Sequence, residues 1–253
     1  MKTLKVTLVA LVSIVLFSCE KDSTEEQIIT EETPTAKVDF GFTETNINNN
    51  YKLFIENNRL NRVAYSTGHT ENFIYNSNNQ VEQIEFNKPN GELLYKVDFY
   101  YTNSILDYSE KQFTGYNSKE KDTYTYSGNI TSISSESINL TTNQVQLTSN
   151  SSLEIDSNNL ISENGSNGAV TYQYDNNSNI FSNLAGLKEL IIYYKKAVNP
   201  RNLSKNNVNA IDSVNSSMDY NFENQYDNSN RIIQKKQLKT NGDLYYIEKI
   251  SYN

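Results

Sequence analysis

The sequence predicts an all-β fold: an open, curved antiparallel sheet of successive β-hairpins, with one short helix in an insertion near residues 183–197. Three observations predict it. The chain holds 19 Tyr and 10 Phe but only 3 Pro and 9 Gly, and tyrosine and β-branched residues favour strands. A short pattern of aromatic residues followed by Asn or Asp recurs along the chain. Between these turns the residues alternate, with Tyr95, Val97 and Phe99 set against Lys96, Asp98 and Tyr100, which gives each strand one buried and one solvent face.

The N-terminus comes first. Met1-Lys2-Thr3-Leu4-Lys5 is a short positive region, and Val6 to Phe17 is apolar except for Thr7 and Ser13, the anatomy of a signal peptide. As a helix that run rises only about 18 Å, short of the roughly 20 residues needed to cross a bilayer. Leu16-Phe17-Ser18-Cys19 resembles the bacterial lipobox. The resemblance implies that residues 1–18 are cleaved and that Cys19 carries lipid as the first mature residue. Cys19 is the only cysteine, so it has no partner within the chain for a disulfide. Acyl chains on it would hold the protein on a membrane.

Residues 19–37 read as a flexible acidic tether, poor in apolar residues and containing Pro34. Glu20-Lys21-Asp22-Ser23-Thr24-Glu25-Glu26 resembles the export signal of Bacteroidota surface lipoproteins, which implies an outer-membrane lipoprotein displayed at the cell surface, with a periplasm-facing one as the alternative. Asp22-Ser23-Thr24 and Asp212-Ser213-Val214 resemble the O-glycosylation acceptor of that phylum, making Ser23 and Ser213 candidate sites. Removing residues 1–18 takes away Lys2 and Lys5 and no acid, so 20 basic side chains stand against 30 acidic ones and the formal charge goes from −8 to −10. That balance disfavours nucleic acid, whose binding rests on clustered Lys and Arg, and docking on anionic lipid.

Residues 38–253 read as a single β-repeat domain. Copies of the pattern are Phe73-Ile74-Tyr75-Asn76, Tyr124-Thr125-Tyr126-Ser127, Tyr172-Gln173-Tyr174-Asp175 and Gln225-Tyr226-Asp227-Asn228, with weaker ones around Ile55, Tyr101 and Ile155. Positions 55, 75, 101, 126, 155, 174 and 226 lie 20, 26, 25, 29, 19 and 52 residues apart. Each unit has room for a hairpin of two strands. Asn and Asp side chains bond the backbone two residues on and tolerate positive φ, which fixes each reversal. Pro89-Asn90-Gly91 and Asn241-Gly242 supply second turns.

Tyr174-Asp175 and Tyr226-Asp227 resemble the YD repeat of Rhs-type proteins, and residues 50–253 resemble uncharacterised Bacteroidota lipoproteins built from such repeats. In those lipoproteins an insertion splits the last repeats, matched here by Gly186-Leu187 and Asn206-Asn207-Val208. The resemblance implies fold and location but no chemistry. Several copies lack the Tyr-Asp pair. Within the insertion, Leu184, Leu187, Leu190, Ile191 and Tyr194 fall at helical intervals, Lys195 and Lys196 suit a C-terminal turn, and Asn199-Pro200 ends it. This helix is expected to cover an open sheet face or end that would otherwise be a sticky edge.

Catalytic signatures are sparse. The one histidine, His69, has no G-x-S-x-G motif to support it. Asp175-Asn176-Asn177-Ser178-Asn179 matches the start of a calcium loop, but Ile180 and Gly186 occupy positions six and twelve, so it reads as a turn. Gly165-Ser166-Asn167-Gly168 reads as a hairpin turn and not as a phosphate loop. No catalytic residue, metal or cofactor is expected. The adjacent pairs Tyr100 and Tyr101, Tyr193 and Tyr194, and Tyr245 and Tyr246 each place one ring on either side of a strand. Exposed rings of this kind stack on sugars or bind proteins. The expected function is therefore a non-enzymatic lipoprotein binding an extracellular glycan or protein through its sheet face. A hydrolase with a carboxylate site and a structural envelope protein are the alternatives.

Overall fold

A computed structural model of the chain describes residues 35–166, 168–197, 203–214 and 219–253. The leader, Cys19, Ser23, nearly all of the tether and the Asn199-Pro200 stop lie outside the described residues. The first strands are β1 (Ala36–Gly41), β2 (Asn49–Glu56), β3 (Arg59–Tyr65), β4 (Thr70–Tyr75), β5 (Val81–Asn87) and β6 (Leu93–Thr102). Then follow β7 (Ile105–Phe113), β8 (Ser118–Ser127), β9 (Ile130–Asn139), β10 (Val145–Asp156), β11 (Asn159–Gly165) and β12 (Gly168–Ser178). Helix α1 (Leu187–Ala197) precedes β13 (Asn206–Ser213), β14 (Tyr220–Tyr226), β15 (Ile232–Lys239) and β16 (Leu244–Tyr252).

Each strand pairs antiparallel with the next, and β1 pairs with β16, closing a 16-strand barrel. This corrects the expected open, curved sheet and, with it, the identification of the chain as a YD or Rhs-type repeat protein; the all-β class and the short helix stand. The recurrent positions 55, 75, 101, 126, 155, 174 and 226 fall in the last residues of β2, β4, β6, β8, β10, β12 and β14. Tyr252, ending β16, is an eighth. Its hairpin partner is β1, reached across the chain ends: Ala36 faces Tyr252 and Gly41 faces Ile247, while Asn253 N–H donates to the Thr35 carbonyl at 3.2 Å. Pairing removes the two edges that an open sheet would leave bare.

A repeated hydrogen bond explains why tyrosine recurs. The Tyr101 hydroxyl donates to the Val81 carbonyl at 2.7 Å, Tyr126 to Leu106 at 2.8 Å, Tyr174 to Leu160 at 2.6 Å and Tyr252 to Ile232 at 2.9 Å. Each acceptor opens the returning strand of the preceding hairpin, and bulges at Ile74/Tyr75 and Tyr100/Tyr101 disturb the ladder near these turns. The reversals use left-handed Asn as expected, with φ of 52° and 61° at Asn57 and Asn58.

The inside of the wall is mostly apolar, with buried Glu71, Lys235 and Glu248, and its outside mixes charged and polar side chains with exposed Ile74, Ile105 and Ile130. Leu53, Val63, Phe73, Ile84, Val97 and Ile133 are buried in one core, whereas the alternating positions carry Lys52, Asn72, Glu85, Lys96, Glu110, Lys121 and Ser134. Spanning barrels instead show lipid an apolar band and keep a polar bore. No helix among the described residues is long and apolar enough to cross a membrane. The β1–β2 connection folds over the outside, where Lys236 pairs with Glu44 at 2.5 Å.

Sixteen strands enclose a bore wide enough for water in porins; here α1 is packed into the core. Leu190, Ile191, Ile192, Tyr193 and Tyr194 are all buried and, with Phe181, Leu184 and Leu203, join the barrel's hydrophobic core. The helix therefore fills the inside of the barrel, where the sequence placed it over an open sheet. It enters at Gly186, whose φ is +67° and where a Cβ would stand 2.9 Å from Val81 Cγ2.

Candidate functional site

The six tyrosines nominated from sequence separate into three environments. Tyr100 lies on the outer wall, 37% exposed, and its neighbour Tyr101 faces inward to its bond with Val81. Tyr193 and Tyr194 do not straddle a strand. Both sit on α1, and both hydroxyls donate to the Glu71 carboxylate, at 3.2 and 2.8 Å. Tyr245 and Tyr246 stand at the barrel end opposite the repeat turns, in contact with Phe42.

On the outer wall, strand register builds a continuous row. Tyr100 faces Tyr108, Tyr108 faces Thr123, Thr123 faces Ser134 and Ser134 faces Asn150. The two rings stack with centroids 4.3 Å apart and planes 13° from parallel, and Lys121 Nζ lies 4.3 Å from the Tyr108 ring centre. Beyond Tyr108 the wall dips into a shallow groove of 410 Å³ lined by Thr123, Thr125, Ser132, Ser134, Asn150, Ser152 and Asn164 with Ile133, Ser151 and Gly165. These side chains offer hydroxyls and amides and no charge. Hydroxyls can both donate and accept, and amides supply one group of each kind.

At the barrel mouth, ring contacts run without a break through Tyr220, Tyr245, Phe42, Tyr246, Phe40, Tyr51, Tyr65, Phe86, Tyr95, Phe113 and Tyr116. Such contacts add to the burial of the rings. The belt meets the plug where the Tyr95 and Tyr193 hydroxyls lie 3.3 Å apart; burial pushes the Tyr95 phenol up to about 12. Beneath lies Glu71, 2% exposed, which also accepts from Tyr65 at 3.0 Å. Burial raises its carboxyl above the ordinary range, and the three phenols pull it part of the way back. Sequence reasoning missed Glu71, although it shares the inward parity of Phe73 and Tyr75, which was the available signal.

His69 stacks on Phe86 with centroids 5.4 Å apart, and its Nδ1 lies 3.0 Å from the Thr67 hydroxyl. Asp175 turns its carboxylate onto Asn177 N–H, Asn224 and the Tyr226 hydroxyl, so it braces the barrel. The Ser213 hydroxyl is buried in β13. Among the described residues no group of His, Cys, Asp and Glu could hold a metal ion.

No protein-family model and no curated protein matches the chain. Among solved structures, a porin-like protein from Bacteroides vulgatus ATCC 8482 superposes with a TM-score of 0.51 at 15% identity, over 88% of this chain and 99% of that one. A porin-like protein from Bacteroides uniformis ATCC 8492 gives a TM-score of 0.40 at 10% identity, with the same coverage. At this identity the first likeness is one of fold alone.

Proposed function

We propose that the chain is a non-enzymatic envelope protein, held at the outer membrane through lipid on Cys19, whose barrel stands in water and binds a neutral glycan on its outer wall. The row from Tyr100 and Tyr108 through Thr123 and Ser134 to Asn150 carries the reading. Sugar rings present C–H faces that pack on aromatic rings, and hydroxyls that need paired donors and acceptors; this wall supplies both within one strand-to-strand row. The groove contains no carboxyl group, which favours binding over hydrolysis, since glycosidases work with a pair of them.

The porin-like neighbour invites another reading, a conducting pore. The charged outer wall and the helix inside the barrel weigh against it, because a lipid-facing wall tolerates few charges. The lipobox and the acidic tether support attachment beside the membrane.

A glycan array probed with the mature polypeptide tests the reading. Binding to uncharged oligosaccharides that falls at least tenfold in Tyr100→Ala and Tyr108→Ala, with unchanged thermal unfolding, supports it. Binding that both variants retain in full, or selective capture of a protein with no glycan bound, refutes it. Fatty-acid labelling tests the anchor: wild type takes up label and Cys19→Ala does not.

A further inference from the structure

We infer that the barrel mouth holds a second, separate binding site, for a neutral ring-sized apolar group. A cavity of 210 Å³ opens behind Phe42 between Phe40, Tyr51 and Tyr246, and runs inward to Leu53 and to Leu203 of the insertion. Phe42, which lines the cavity, is 62% exposed.

Size and polarity choose the occupant. An apolar cavity of about 150 Å³ stays dry and takes benzene, so this one accommodates a ring with a short substituent. Rings and aliphatic side chains form most of the lining, and Glu248 is its one charged group. Glu248 faces Lys235 across the β15–β16 ladder; both are buried, and Lys235 lies outside the lining. An anionic ligand would lose its hydration there and meet the Glu248 carboxylate. Apolar pockets with few polar groups at barrel mouths are common ligand sites. The site is independent of the outer groove: none of its lining residues belongs to the Tyr100 row.

The test uses the uncharged fluorophore 1-naphthylamine, a fused ring system with one short substituent, and the lipid-free polypeptide of residues 20–253. Saturable binding of one probe per chain is expected, at least tenfold weaker in Val63→Phe, which fills the cavity, and unchanged in Tyr100→Ala. The sulfonated analogue is expected to bind at least tenfold more weakly. The chain contains no Trp, so Tyr246→Trp adds a single donor at the entrance, and energy transfer from it to the probe places the site even if Val63→Phe fails to fold. Non-saturable binding, absence of transfer from Tyr246→Trp, or loss of binding in Tyr100→Ala would overturn the inference.

Discussion

Tyr194 donates its hydroxyl to Glu71 at 2.8 Å across 123 positions of sequence, tying the helix inside the barrel to strand β4. Tyr193 and Tyr65 complete the set of donors. A buried carboxylate that loses its donors, or phenols that lose their acceptor, are left with unmet desolvation. Tyr194→Phe should therefore lower stability by about 1 kcal/mol and Glu71→Ala by about 1–3 kcal/mol. Urea unfolding checks this, with the midpoint moving and the slope constant.

The same carboxylate makes stability depend on pH. Burial, the largest influence, raises the Glu71 pKa above 4.5, and burial raises Glu189 in the same direction. A raised carboxyl favours the fold fully below 4.5, and that contribution is lost as pH climbs through the folded value. Relative to Glu71→Gln, wild type should therefore lose ground between pH 4 and pH 8. Equal slopes of unfolding free energy against pH in the two proteins would contradict this.

The tyrosines that end the even strands should act singly and locally. Tyr101→Phe and Tyr126→Phe each leave a carbonyl, Val81 or Leu106, without its donor, and each should cost about 0.5–1.5 kcal/mol. Tyr101 and Tyr252 lie on strands far apart around the barrel with different acceptors, so the double variant Tyr101→Phe with Tyr252→Phe should show near-additive losses in chemical denaturation. Binding at the outer wall should be unaffected in both.

Much of the hairpin pattern was legible because its causes are local. Asn57, Asn58, Asn103 and Asn158 take the positive φ that their side chains tolerate, and parity along Tyr95, Val97 and Phe99 reads directly as one buried face. Closure was not legible. Val38 meets Ile250, and nothing near either residue announces a partner at the far end of the chain. The helix's intervals were visible, yet its burial on every side follows only once a closed wall surrounds it, so Tyr193 and Tyr194 were misread as a strand pair. The Tyr100 row was half legible: Tyr100 and Tyr101 could be named as a pair with one ring on each side, but which ring faces out, and the hydroxyl and amide wall beside it, depend on pairing with four further strands. Glu71 was not legible because the three phenols that hold it come from β3 and from α1, two of them more than 120 positions away.

The central proposal is that this closed barrel, with α1 packed inside it, stands in water. Sedimentation velocity of residues 20–253, free of lipid and detergent, tests it most directly. A single compact species that stays in solution is the predicted result; a protein that precipitates without detergent and becomes monodisperse only in micelles would contradict it.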